Sequence, residues 1–455
     1  MALVGELELG SFDYTDPGLT GERFHTAMRE LAAEGWLAAG PYGYVVLDRE
    51  AGEFFLRTRS AIFPGMKIAE LFDVKEGPLW EEMKRNILHV NGADHTRLRS
   101  LVNPALTARA VERWRGAMRG FLEELFVAVA DAGRCEFVGA FAKPYPSQTI
   151  ATVMGAPLAD APRLHHWSNW IQRQFDAASM MNEREGIERA VEEFYEYARA
   201  LLAARREDPG DDLISTLLAA TYRPPVGEAL EGVGDRSSGN DSTVGQGGGR
   251  IAEKLSEEEC VNLVLNVLIG GVDTTQSQLA HAVRLLAEHP AQWEALVADP
   301  SLAGAAVEEA LRFEPITPFT ARITTEELTY RDVSFPKDTI VMVCAFTGNR
   351  DLPGGGGEGL DGAREGYQGA GGVGGSAWAP GADTFDITVE RPKARALTFG
   401  AGVHYCLGAN LARLELEEGL GFLARKMPRL ELDGEPVFES ILGIYGLAEL
   451  PIRFG

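Results

Sequence analysis

Apolar residues recur three and four positions apart over most of residues 20–218, with Pro and Gly marking the turns, and this spacing predicts a succession of helices. In residues 110–132, Trp114, Met118, Phe121, Leu122, Leu125 and Phe126 fall at helical spacing while Glu123 and Glu124 lie between them. Strand-like stretches are fewer: one early, at 42–47, and three late, at 327–330, 339–343 and 451–454. The pattern is mainly α with small β-sheets, an α+β class, and not a series of alternating βα units.

One helix stands apart. Ser256 and Glu259 form a capping box, Pro290 follows, and 255–289 contains no proline, which predicts a single central helix about 50 Å long at 1.5 Å per residue. Its first half is apolar on nearly every side, apart from Asn262 and Asn266. The apolar run 261–269 is well short of the roughly 20 residues a membrane span requires. Inside the helix stands Gly270-Gly271-Val272-Asp273-Thr274-Thr275. Each glycine there costs about 1 kcal/mol relative to alanine, so both need a reason. Two are open: room for a ligand beside Asp273 and Thr274, or a local arrangement in which Thr274 bonds the Gly270 carbonyl four residues back. Asp273, following an apolar run, is a candidate for a perturbed pKa.

Residues 231–250, rich in Gly and Ser, and 353–375, dominated by Gly, hold too few apolar residues to offset their ordering entropy, which predicts two flexible surface insertions. No composition shift marks a boundary, so 1–455 is expected to be a single domain. Composition adds exclusions. With 67 acidic against 43 basic residues the net charge is −24, which opposes a nucleic-acid partner. Cys135, Cys260, Cys344 and Cys406 are widely spaced with no CxxC pair, as suits a reducing compartment. The first ten residues lack a cationic start and an apolar stretch, so no signal peptide is expected. A cytoplasmic, monomeric protein without a membrane anchor is the expectation.

The most informative stretch is the run Phe399-Gly400-Ala401-Gly402-Val403-His404-Tyr405-Cys406-Leu407-Gly408-Ala409-Asn410-Leu411-Ala412-Arg413. Cys406 sits where a loop enters a helix, a place that lowers a thiol pKa, so the sulfur suits metal ligation or nucleophilic attack. Gly402 and Gly408 leave space for a flat group to approach it. The other three cysteines read as small buried hydrophobes. Through Phe399, Gly402, His404, Cys406, Gly408 and Leu411-Ala412-Arg413 the run resembles the haem-binding loop of the cytochrome P-450 superfamily, the haem-thiolate monooxygenases. Gly270 to Thr275 looks like the family's oxygen-activating motif, Glu309-Ala310-Leu311-Arg312 like its paired Glu and Arg, and His95-Thr96-Arg97-Leu98-Arg99 like its propionate-holding segment. Arg322 falls where a further propionate partner is expected. Asn349-Arg350-Asp351 and Phe385-Asp386-Ile387 also resemble family segments, but the glycine-rich insertion separates them more widely than the family does.

The resemblance implies the cytochrome P-450 fold, with heme b buried between the long central helix and the C-terminal loop. Cys406 would be the axial thiolate. His95, Arg99, Arg322 and His404 would neutralise the propionates, with Gly270, Gly271, Phe399, Gly402 and Gly408 shaping the cofactor site. Asp273 and Thr274 would deliver protons, so that O2 and two electrons hydroxylate or epoxidise a substrate. The electrons would come from a separate ferredoxin or flavodoxin with its reductase, docked on Arg97, Arg109, Arg113, Arg115 and Arg413. Two alternatives, a peroxide-driven peroxygenase and a haem sensor or carrier without turnover, fit the Asp273 and Thr274 pair less well. Candidate pocket residues Ile87, Leu88, Trp170, Phe175, Met180, Phe319 and Ile444 suggest an apolar small molecule such as a steroid, terpenoid, fatty acid or polyketide.

Overall fold

A computed structural model describes residues 2–222, 253–351, 378, 381–391 and 395–455. The insertions expected at 231–250 and 353–375 lie outside the described residues. Helices dominate, and those that shape the interior are α1 (Arg49–Arg57), α2 (Pro78–Arg85), α3 (Gly92–Val102), α4 (Arg115–Val127), α5 (Pro144–Met154), α6 (Ala161–Gln172), α7 (Arg184–Glu207), α8 (Glu257–Gly271), α9 (Asp273–Glu288), α10 (Ala303–Phe313) and α11 (Ala409–Lys426). Among the described residues none is long and apolar enough to cross a membrane. The helical spacing at 110–132 is carried by more than one element: a short turn of helix, Ala108–Val111, precedes α4.

The late strand signals are strands. Five segments form the largest sheet: β1 (Leu37–Gly40), β2 (Gly43–Val46), β3 (Ala61–Ile62), β4 (Phe319–Thr324) and β5 (Ile340–Cys344), in the order β1-β2-β5-β4-β3. β5 runs parallel to β2, with Val341 opposite Tyr44, and antiparallel to β4, with Val341 opposite Arg322. That register fixes Arg322 in the middle of a sheet. Leu328–Tyr330 and Pro451–Arg453 pair in smaller sheets.

The helix predicted at 255–289 is two helices. The capping box at its start is present, with Ser256 accepting from the Glu259 N–H. Between Val272, whose N–H bonds the Leu268 carbonyl, and Gln276, whose N–H bonds the Val272 carbonyl, the hydrogen-bond ladder lapses, and Val272 takes φ −93° and ψ −75°. The two glycines before the break do different jobs. A Cβ on Gly271 would sit 2.3 Å from Ile150 Cδ1, so α5 packs closely there and Ile150 would have to shift to admit a side chain. A Cβ on Gly270 would meet nothing within 4 Å. The pair α8 and α9 is central, as its apolar composition requires: in α9 every residue except Thr274 and Glu288 is buried.

A buried charge cluster ties the chain on either side of the insertion to this frame. Arg312 donates to both carboxylate oxygens of Glu309, Nε to Oε2 at 2.7 Å and Nη2 to Oε1 at 2.8 Å, and both residues are buried. Arg391 donates to the same two oxygens at 3.1 and 2.7 Å, and the Asp386 N–H donates to Glu309 Oε1 at 2.9 Å. Burial would raise the Glu309 pKa, but the two guanidinium groups hold it below the usual carboxylate range. The buried Asn349 side chain accepts the Leu397 N–H at 2.6 Å and donates to Thr398 Oγ1 at 3.0 Å, while Arg350 pairs with Asp383 at 2.7 Å. The segment entering the Cys406 loop is therefore clamped despite the widened spacing. Removing the central charge leaves two guanidinium groups uncompensated in the interior, so Glu309→Gln is expected to cost about 3 kcal/mol or more, read as a lowered midpoint in denaturant unfolding.

Candidate active site

Residues 395–408 carry two short turns of 3-10 helix, Leu397–Phe399 and Gly402–His404, and no sheet partner. The Cys406 N–H donates to the Phe399 carbonyl at 2.9 Å, closing the loop on itself. Arg413 lies over the Phe399 ring at 4.6 Å and donates to Tyr405 Oη at 3.2 Å. Gly402 has φ +73°, and a Cβ there would fall 2.6 Å from the Leu56 carbonyl oxygen, so its task is close packing on the end of α1, not the space for a flat group expected of it. Gly408 has open space: a Cβ would meet nothing within 4 Å. The expected depression of the Cys406 pKa is also corrected. Burial pushes the thiol up, against the pull of the Gly408 and Ala409 N–H groups and of Arg99 and Arg413.

Cys406, Phe399, His404 and Gly408 line one side of a cavity of about 420 Å³, and Gly270, Gly271 and Thr274 line another. Thr274 Oγ1 donates to the Gly270 carbonyl at 2.6 Å, a carbonyl the lapsed ladder leaves without its helical partner. Asp273 turns the other way. It is buried outside the cavity wall, with Oδ2 accepting from Ser168 Oγ on α6 at 2.5 Å and Oδ1 without a partner. Burial raises its pKa to about 6.

Near Cys406 lies a concentration of basic groups. Arg99 donates to the Tyr405 carbonyl at 2.8 Å, and the His95 and His404 rings lie 4.3 Å apart. Burial, reinforced by Arg99, lowers the His95 pKa to about 4; burial, with His95, Arg322 and Arg99 around it, lowers that of His404 to about 3. Arg322 is buried at 3% exposure, donates to the Ala321 carbonyl at 2.8 Å, and forms no ion pair among the described residues. Its pKa falls to about 10 by burial alone.

A family model described as cytochrome P450 matches residues 41–352 of this chain. The chain belongs to the cytochrome P450 family. That match stops where the glycine-rich insertion begins, short of the Cys406 loop. The chain is 30% identical to luteothin monooxygenase of Streptomyces thioluteus over 98% of its own length and 97% of the relative's. It is 30% identical to vitamin D(3) 25-hydroxylase of Pseudonocardia autotrophica over 80% of its own length and 76% of the relative's. Among solved structures, P450BioI in complex with an acyl carrier protein ligated to hexadec-9Z-enoic acid superposes with a TM-score of 0.75 at 25% identity, over 95% of this chain and 99% of that one.

Membership implies a haem held by a cysteine thiolate, and the residues of this P450 fit one. A buried arginine without a carboxylate is costly, and two histidines with unpartnered buried ring nitrogens, His95 Nε2 and His404 Nδ1, lie beside it. An anionic group at that end of the cavity would meet Arg322, Arg99 and His404, which line it, with His95 packed against His404. The open space at Gly270 and Gly408, on walls that also carry Thr274 and Cys406, accommodates a flat group between them.

Other expectations are sorted by the geometry. Ile87, Leu88, Phe175, Phe319 and Ile444 line the cavity, but Trp170 and Met180 do not. Trp170 packs on α7, where a Cβ at Gly186 would come within 2.2 Å of its ring, and Met180 joins Leu79 and Met83 of α2 in a separate core. The expected docking patch is largely neutralised. Arg97 pairs with Glu259, Arg113 with Asp211, Arg115 with Glu112 and Glu418, and Arg413 with Glu308, which leaves Arg109 exposed and without an ion pair among the described residues.

Several residues escaped the sequence. Arg391 completes the Glu309 cluster from a distant segment, and Ser168 on α6 meets Asp273 only through tertiary packing. Glu415 lines the cavity and is fully buried with both carboxylate oxygens unpartnered; burial raises its pKa well above the ordinary value. Cys406 and Glu415 are nine residues apart on a helical pattern, which was a signal, but Glu415 reads as one more acid among many.

The Asp273 pKa carries a pH prediction. Folded Asp273 keeps its proton to higher pH than the unfolded chain does, so ionising it opposes folding. The rise from 3.8 to about 6 corresponds to about 3 kcal/mol. Asp273→Asn should match the parent near pH 4, gain stability relative to it as pH rises to about 6 and hold that gain above, as followed by thermal unfolding across that range.

Proposed function

We propose that this P450 is an O2-dependent monooxygenase that hydroxylates or epoxidises an apolar small organic molecule, with heme b held by Cys406. The observation that carries the reading is the placement of Cys406 and Thr274 on walls of one largely apolar cavity, with the basic cluster at its edge. When bound, a haem would supply an iron that activates O2 with two electrons, and the Cys406 thiolate would hold it and donate to it.

The chain's own residues divide the remaining work. Arg322 and Arg99 neutralise the propionates, with His95 and His404 as hydrogen-bonding partners. The Gly408 and Ala409 N–H groups, directed at the sulfur, moderate its donation. Burial brings the Asp273 pKa to about 6, so its carboxyl gains and loses a proton within reach of neutral pH, which suits a group that both receives and releases one. Ser168 Oγ, hydrogen-bonded to it, orients that carboxyl. Thr274 Oγ1 spends its own proton on the Gly270 carbonyl, which leaves its lone pairs as acceptors at the cavity wall.

A ferredoxin or flavodoxin with its reductase is the proposed electron source. With four of the five expected arginines already matched by carboxylates, Arg109 and the exposed Val403 of the Cys406 loop are the features left to meet it. A reducing cytoplasmic setting suits the four unpaired cysteines. For substrate, the names of similar proteins include vitamin D(3) and hexadec-9Z-enoic acid, and the apolar walls suit either.

Two measurements test this reading. The reduced, CO-bound protein should show the red-shifted Soret band of a thiolate ligand, and an unshifted band removes Cys406 from the assignment. With a reduced ferredoxin as donor, Thr274→Ala should consume electrons at a rate close to the parent's while product per electron falls several-fold; unchanged coupling, or equal turnover of the parent with peroxide alone, defeats the O2-dependent relay.

A further inference from the structure

The stripe of α8 and α9 that lines the cavity runs Asn266, Gly270, Thr274, at four-residue intervals. Two of these positions are accounted for above. Asn266 is not, and its chemistry is unusually well defined. The Ile87 N–H, which can only donate, points at Asn266 Oδ1 at 3.0 Å. The oxygen of this amide is therefore committed, and its orientation is settled. The remaining atom, Nδ2, is a donor without an acceptor: it is buried and has no partner in the protein. The neighbouring amide of Asn86, by contrast, is fully used, with Nδ2 donating to Glu82 Oε1 at 2.6 Å and Oδ1 accepting from the Leu88 N–H at 3.0 Å. The cavity wall that holds Asn266 also carries the apolar Phe63, Ile87, Phe175 and Val267 and the amides of Asn86 and Gln172.

We propose that Asn266 is a specificity residue whose Nδ2 donates to an acceptor oxygen on the substrate. The substrate is then an elongated apolar molecule bearing a carbonyl or similar oxygen. From Asn266 to Thr274 is eight residues, about 12 Å along the helices at 1.5 Å per residue, so the acceptor lies about that far from the carbon that is oxidised. A site built to satisfy a substrate oxygen discriminates against an analogue that lacks it, because the buried donor is then left unpaired. This rests on the apolar-substrate reading given above and narrows it.

The test uses the haem-loaded full chain with a matched pair of probes, 2-undecanone and undecane. Dissociation constants are read from the spin-state shift and, independently of the haem spectrum, by calorimetry. In a plain apolar cavity the alkane binds tighter, because the ketone gives up its hydration. The parent protein is expected to bind the ketone at least as tightly as the alkane. Asn266→Leu is expected to move the ketone-to-alkane ratio about tenfold or more toward the alkane, and to scatter oxidation that the parent directs to the end remote from the carbonyl. A ratio that stays within twofold between the two proteins overturns the proposal while leaving the apolar-substrate reading intact. Should Asn266→Leu not fold, the parent alone decides, since tenfold tighter binding of undecane than of 2-undecanone overturns it. Binding of neither probe to the parent defeats the apolar-substrate reading itself.

Discussion

Everything at this site depends on holding an irregular loop still. The segment that carries Cys406 owns no strand and only two short helical turns, so its position has to come from charge and hydrogen bonds on its neighbours. Glu309 supplies the anchor: one carboxylate takes five hydrogen bonds, from Arg312, Arg391 and the Asp386 N–H, and so joins α10 to the chain beyond the insertion. Such a cluster is favourable only when complete, since each charge was taken out of water. Asn349 then passes the restraint to the Leu397 N–H, eleven residues downstream of Asp386. The sulfur is placed by a sequence of buried polar contacts and not by the fold's regular elements.

The opposite wall is built by a defect of a different kind. A continuous helix through 255–289 would have kept the Gly270 carbonyl in its ladder and the whole stripe regular. The close approach of Ile150 to Gly271 and the lapse at Val272 free that carbonyl, and Thr274 takes it. The same lapse lets adjacent residues face different surroundings, Thr274 toward the cavity and Asp273 toward Ser168. An acid in a dry pocket and an alcohol at the cavity wall thus follow from one interruption.

How much of this could be read from the chain divides along physical lines. Local signals carried the capping box at Ser256, the late strands, the helix-entry position of Cys406 and the alternative bond from Thr274 to Gly270, because each involves residues a few positions apart. The fate of individual side chains did not follow. Gly402 and Gly271 look like the space-making Gly270 and Gly408, and only the backbone of Leu56 and the side chain of Ile150 tell them apart. Trp170 and Phe175 share a helical stretch, yet one packs into α7 and the other lines the cavity. The third member of the Glu309 cluster and the partner of Asp273 come from distant elements, and the charge pairing that neutralises the expected docking arginines comes from acids spread over the chain. Spacing reports none of these.

The distribution of charge supports a cofactor on physical grounds that are independent of the motif. An acidic chain has carboxylates to spare, and it pairs them with arginines at the surface, as at Arg113, Arg115 and Arg413, and in the interior, as at Arg312 with Glu309 and Arg350 with Asp383. Arg322, where an unpaired charge costs most, has none among the described residues, and its neighbours His95, His404 and Arg99 add basic groups instead of acids. Selection for stability of the chain alone would reverse that arrangement. It is intelligible if the counter-charge arrives with a ligand that binds the folded state and so stabilises it by mass action. The stability deficit at Arg322 and the affinity for an anionic cofactor are then one quantity seen from two sides, and substituting Arg322 to relieve the first would give up the second.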